Sequence, residues 1–156
     1  MASKTYLVIT TKYYMQEMNI DNHQVTPKEQ QQIVKIITAF FEKTSNTPEE
    51  VQQCLAGVAK VIQRPGGKLV HFNDTVFLIL VKEKNQVEVY NLSLIKNFNT
   101  FTKNFGKLMK YLKAIHATHV TTTSDDTRYD TMMRKLGLRF ERSMPKDKNY
   151  TYKVEL

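Results

Sequence analysis

Apolar positions along the chain fall into blocks whose spacing switches between a period of two and one near 3.6, with turn residues at the breaks. Residues 5–11 alternate loosely and are rich in β-branched side chains, which predicts a strand. Residues 13–24 are polar and aromatic without a clear period and predict a loop or partial helix. Thr26-Pro27-Lys28-Glu29 then announces a helix: Thr26 can cap, Pro27 suits the first turn and Glu29 completes a capping box. Behind it Ile33, Ile36, Ile37, Phe40 and Phe41 recur at helical spacing. The same punctuation returns at Thr47-Pro48-Glu49-Glu50, followed by Val51, Leu55, Val58 and Ile62, and Pro65-Gly66-Gly67 ends that second helix.

Three strands are predicted next, at 68–72, 75–82 and 86–94, separated by Asn73-Asp74 and Lys84-Asn85. The run from Val76 to Val81 is apolar on both faces, as in a strand covered from both sides. A third helix over 101–115 places Phe101, Phe105, Leu108, Leu112 and Ile115 on one face and Lys103, Lys107, Lys110 and Lys113 mainly on the other. A polar strand at 119–123, a short amphipathic helix ending Lys135-Leu136-Gly137-Leu138, and strands at 138–143 and 150–156 complete the order. The pattern predicts one α/β domain over residues 1–156, with a mixed, mostly antiparallel sheet and helices on both faces.

Composition narrows this picture. With 41% hydrophobic and 24% charged residues in 156, the chain is ordinary for a globular domain large enough to bury its own core. No apolar stretch approaches the roughly 18 residues of a membrane span, and the first residues predict no secretory leader. The lone Cys54 excludes an intrachain disulfide and reads as a small core residue. A cytoplasmic location, or a virion assembled in cytoplasm, is the expectation. Charge is uneven: from Tyr90 onward 13 Lys and Arg face 6 Asp and Glu, within an overall +8. A basic half favours an acidic protein surface, nucleic acid or an acyl-CoA as partner, and no membrane. His116 and His119 are three apart where a helix ends, without a second pair of ligands, so no metal site is expected.

The order of elements in the last third, with the Lys135-Leu136-Gly137-Leu138 turn, resembles the C-terminal half of the GNAT N-acetyltransferase superfamily, and the likeness in element order extends over nearly the whole chain. The resemblance implies an acetyl-CoA cofactor whose pyrophosphate meets an Arg/Gln-x-x-Gly-x-Gly/Ala loop at the start of the third helix, where small residues let backbone N–H groups approach it. Laid on the helix phase, Thr100, Lys103 and Phe105 stand at those three positions, with Gly106 one place late. The implied cofactor-binding positions are therefore Thr100, Lys103 and Gly106, with Leu92 and Leu94 on the preceding strand edge. A bulky ring at 105 argues against ordinary CoA binding.

The family's Tyr general acid corresponds to Met133, and the Asn seven residues before it to Asp126; Tyr129, one turn before Met133, is the candidate substitute. Glu88 is the candidate general base, the acidic residue inside its strand and on the same face as Tyr90. With the loop residues replaced, several charge-assisted phosphate contacts of about 1.5–3 kcal/mol each are lost. The reading that ranks first is a degenerate GNAT-fold protein used for binding or assembly. A small Lys/Asn/Thr-rich chain of this kind resembles GNAT-like proteins of tailed bacteriophages, which implies a virion or host-interaction role. The alternatives are an acyl-CoA-dependent N-acetyltransferase using Glu88, and a basic nucleic-acid-binding module using the third helix.

Overall fold

In the computed structural model, residues 26–144 and 146–156 are described, together with the backbone pairing of 19–20 with 23–24. The strand expected at 5–11 lies outside the described residues. Within 13–24, β1 (Asn19–Ile20) and β2 (His23–Gln24) form a short antiparallel pair where a loop or partial helix was expected.

The threonine–proline pairs do set both N-terminal helices. In α1 (Pro27–Thr44) Thr26 Oγ1 accepts the Glu29 N–H at 3.1 Å, and in α2 (Pro48–Gln63) Thr47 Oγ1 accepts the Glu50 N–H at 3.2 Å. Each bond satisfies an amide the helix itself cannot, and proline at the first helical position has no N–H to strand there. The Glu50 carboxylate reaches back to the Asn46 N–H at 2.8 Å.

Strands β3 (Gly67–Phe72), β4 (Thr75–Val81) and β5 (Gln86–Asn91) follow, then α3 (Phe98–Ala114), β6 (His119–Ser124), α4 (Arg128–Lys135), β7 (Arg139–Arg142) and β8 (Tyr150–Glu155). The architecture is α/β, with four helices and a six-stranded mixed sheet in the order β3-β4-β5-β6-β8-β7. β5 and β6 run parallel, while β8 lies antiparallel to both β6 and β7.

The described chain forms two compact units, one running to Ile79 and including Asn91–Leu94, the other comprising Leu80–Tyr90 and Ile95–Leu156. In the first, Ile33, Ile37 and Phe41 of α1 and Leu55, Val58 and Ile62 of α2 pack with Leu69, Val76, Leu78 and Leu92. Glu29 of α1 also meets His71 of β3, Oε2 to Nδ1, at 3.1 Å. Phe77 and Ile79, the alternate positions of β4, are fully buried too, as its unbroken apolar run requires.

In the second unit, Val87 and Val89 of β5, Val120 and Thr122 of β6, and Tyr152 and Val154 of β8 are buried. So are Phe101, Phe105, Leu108, Met109 and Leu112 of α3 and Tyr129, Met132 and Met133 of α4. Both helices end alike. After α4 the Gly137 N–H bonds to Arg134 O and the Leu138 N–H to Met133 O, each at 3.0 Å, with Gly137 at φ 69°. After α3 the His116 N–H bonds to Lys113 O at 3.0 Å and the Ala117 N–H to Leu112 O at 2.9 Å, with His116 at φ 68°. This is a Schellman closure, whose left-handed residue is normally glycine.

The pair makes a matched test. Gly137→Ala should destabilise by about 1–2 kcal/mol, and His116→Gly should stabilise by several tenths to about 1 kcal/mol because it relieves a side chain at positive φ. Urea unfolding of both variants checks the signs, and equal signs would contradict the assignment of both closures.

Candidate active site

In open α/β sheets ligands gather outside the carboxyl ends of parallel strands, where the chain leaves for helices in different directions. The second unit has one parallel pair among the described strands. The β5–β6 ladder runs from Gln86↔His119 to Val89↔Thr122, whereas β6 continues to Ser124 in its pairing with β8. The seam between β5 and β6 therefore opens beyond Val89, beside the exposed ring of Tyr90.

Alternation along β5 buries Val87 and Val89 and turns Glu88 and Tyr90 to the other face. There the Glu88 carboxylate is engaged at both oxygens. Lys82 Nζ pairs with Oε1, and the Tyr90 hydroxyl donates to Oε2. Lys82 is delivered by the turn after β4, where its N–H bonds to Gln86 O at 2.6 Å and Lys84 and Asn85 take positive φ. The hydrogen bond from Lys82, then that from Tyr90, hold Glu88 below the usual carboxylate range. Burial, reinforced by the bond to Glu88, pushes the Tyr90 hydroxyl up to about 12. Such a carboxylate is a weakened proton acceptor. Alternation was enough to pair Glu88 with Tyr90; Lys82 went unrecognised in the sequence because it arrives through turn geometry.

Tyr129 is buried at 4% exposure, with the rings of Phe98, Phe101, Phe105 and Tyr152 centred 5.7–6.3 Å away. Burial raises its hydroxyl above the ordinary tyrosine range. Met133, which the sequence resemblance aligned with the tyrosine acid, is fully buried. Asp126 binds Arg128 through both oxygens (2.7 Å to Nη2, 3.0 Å to Nε), which lowers its pKa, and that guanidinium lies 4.3 Å from the centre of the Phe98 ring.

α3 begins at Phe98, three residues before the expected start. Asn97 caps it, Oδ1 accepting the Thr100 N–H at 3.1 Å, and the Phe101 N–H bonds to Asn97 O at 3.0 Å. Thr100 thus spends its amide on the cap, while Lys103 and Gly106 stand in the second and third turns, beyond the amides a helix start leaves open. A Cβ at Gly106 would lie 3.1 Å from Leu136 Cδ2, so its smallness serves packing against the end of α4.

In the first unit, the segment carrying Leu92 and Leu94 has left the strand. The Leu92 N–H bonds to Val76 O at 2.9 Å. The Asn91 side-chain amide holds both main-chain groups of Ser93: Oδ1 accepts its N–H at 3.1 Å and Nδ2 donates to its carbonyl at 2.9 Å. Ser93 Oγ donates to the same Oδ1 at 2.6 Å and accepts the Val76 N–H at 3.2 Å. Leu92 and Ser93 are buried, at 6% and 2% exposure. Among the described residues no three His, Cys, Asp or Glu side chains cluster as metal ligands, and no helix is long and apolar enough to cross a membrane.

Comparison with known proteins bears on the architecture. No protein-family model matches the sequence, and no curated protein matches it. Among solved structures, an acetyltransferase of the GNAT family from Listeria monocytogenes superposes with a TM-score of 0.50 at 10% identity, covering 90% of this chain and 99% of its own. The chain has the GNAT fold. A domain from Methanocaldococcus jannaschii superposes with a TM-score of 0.53 at 14% identity over 86% of this chain and 96% of its own. A GNAT-family acetyltransferase from Bacillus anthracis gives 0.49 at 14% identity over 76% and 81%.

The GNAT fold makes acetyl-CoA the cofactor to test, and the residues here do not fit it in the expected form. Lys103 and Gly106 carry helix-interior amides, and the Leu92 N–H and both main-chain groups of Ser93 are already bonded. The arrangement holds a fixed carboxylate, a buried phenol and an open strand seam.

Proposed function

We propose that this GNAT-fold chain serves binding or assembly and does not transfer acetyl groups. The observation that carries the reading is the state of Glu88, its two oxygens committed to Lys82 and Tyr90 and its pKa lowered. A general base for amine deprotonation works best with a pKa raised toward neutrality, and this environment moves the carboxylate the other way. The burial of Tyr129 removes the second candidate proton carrier from solvent and from any thiolate arriving at the surface.

The test is acetyl transfer followed by thiol release from acetyl-CoA, using small primary amines, polyamines and lysine-containing peptides as acceptors. The expected result is release no faster than without protein. Turnover that disappears in Glu88→Gln would overturn the proposal and establish the acetyltransferase reading.

A further inference from the structure

α3 carries four lysines, Lys103, Lys107, Lys110 and Lys113, and no acidic residue in its 17 positions. All four are exposed, and none forms an ion pair with another described residue. At 100° per residue they fall within roughly 120° of the helix circumference and extend over about 15 Å of its length. The opposite face is buried through Phe101, Phe105, Leu108 and Leu112, so the helix cannot roll to hide the stripe.

We propose that this stripe is a docking surface for the phosphate backbone of duplex nucleic acid, bound without regard to sequence. The inference names a partner for the binding role proposed above. A protein partner is disfavoured because protein interfaces are depleted in lysine at their core and built around apolar and aromatic anchors. Among the described residues the exposed large hydrophobics are Tyr90 and Met144, and neither belongs to α3. Single strands are disfavoured for a related reason, since they are held by bases stacking on exposed aromatic rings. Lysine, a compact charge on a flexible stem, suits phosphates read as point charges.

The test is fluorescence anisotropy of a labelled mixed-sequence DNA duplex titrated with the full chain across a range of salt. Four phosphate contacts predict a log–log salt slope of about −3.6, which is a loss on the order of a hundredfold between about 50 and 200 mM salt. Changing all four lysines to Gln (Lys103→Gln, Lys107→Gln, Lys110→Gln, Lys113→Gln) should remove about one unit of slope per lysine and weaken binding by more than about tenfold. Glutamine keeps helix propensity, and circular dichroism verifies the fold. The control changes four exposed lysines of α1 and α2, Lys28, Lys35, Lys43 and Lys60, to Gln for the same loss of charge, and should retain both affinity and slope.

Equal loss in both variants would overturn the proposal, leaving net charge as the cause. Absence of wild-type binding at low salt would overturn it too, as would tighter binding to phosphatidylserine vesicles or to polyglutamate than to the duplex. The titration contains no acetyl-CoA, so its failure is separate from that of the transfer assay.

Discussion

Phe105→Gly is expected to cost about 4–6 kcal/mol and to create no acetyl transfer. Truncating a buried phenylalanine costs about 3–5 kcal/mol, and glycine inside a helix adds roughly 1 kcal/mol. Phe105 is 1% exposed, with ring centres of Phe101 and Tyr129 each 6.3 Å away, so the void would open inside the aromatic cluster that also holds Tyr152. The substitution puts a small residue where the sequence resemblance aligned the pattern's Gly/Ala, which makes it a test of that alignment as well as of stability. Position 105 lies in α3's third turn, where the backbone N–H belongs to the helix ladder, and a glycine there exposes no amide to a phosphate. Urea unfolding should show the midpoint collapse, with Phe105→Leu far milder. A stable Phe105→Gly protein that released thiol from acetyl-CoA would show that this position, and not the helix start, forms the cofactor loop.

Asp130→Ala is expected to cost about 1–3 kcal/mol, because it leaves a buried hydroxyl without its acceptor. The Tyr152 hydroxyl donates to Asp130 Oδ1 and Arg142 Nη1 to Oδ2, each at 2.6 Å, tying β8 and β7 to α4. The two partners differ in burial. Tyr152 is fully buried, whereas the Arg142 side chain is 41% exposed, so Arg142→Ala should cost no more than about 1 kcal/mol. Tyr152→Phe with Asp130→Ala should cost clearly less than the sum of the single changes, since together they remove donor and acceptor. The same bond sets a pH dependence. Burial and the bond to Asp130 push the Tyr152 hydroxyl up to about 12 from 10.0, so the folded state favours the protonated phenol. Its contribution is complete below pH 10 and is lost as pH rises toward 12. Tyr152→Phe should flatten that part of the alkaline limb; an unchanged limb would contradict the assignment.

The helices were legible where a local signal is strong. Thr26-Pro27 and Thr47-Pro48 placed two starts to the residue, because a threonine hydroxyl and a proline at the first position satisfy the same local geometry in any fold. α3 was misplaced by three residues because its cap, Asn97, is followed by Phe98-Asn99-Thr100, with no proline or acid to announce a first turn. β5 was expected to reach position 94 and stops at Asn91, where one side-chain amide captures both main-chain groups of Ser93 in place of a neighbouring strand. The insertion of β8 between β6 and β7 depends on pairing across tens of residues, which no local pattern encodes.

Site legibility followed the same rule. The alternation Val87-Glu88-Val89-Tyr90 was enough to set Glu88 beside Tyr90, and Phe105 was recognisable as a stripe residue. The partner that changes the chemistry of Glu88 stands just before the Lys84-Asn85 turn, whose left-handed backbone at non-glycine residues reverses the chain so that Lys82 faces Gln86. Tyr129, the candidate substitute acid, is almost wholly enclosed, and Phe98, from the first turn of α3 that the sequence did not announce, adds its ring to the cluster.

Isothermal titration of the purified chain with acetyl-CoA, with coenzyme A in parallel, decides whether this fold still takes the cofactor. Neither ligand should give saturable heat up to about 1 mM. A saturating isotherm with micromolar affinity for acetyl-CoA would contradict that expectation, showing that the fold still holds its cofactor despite the bonded strand edge and the capped helix start.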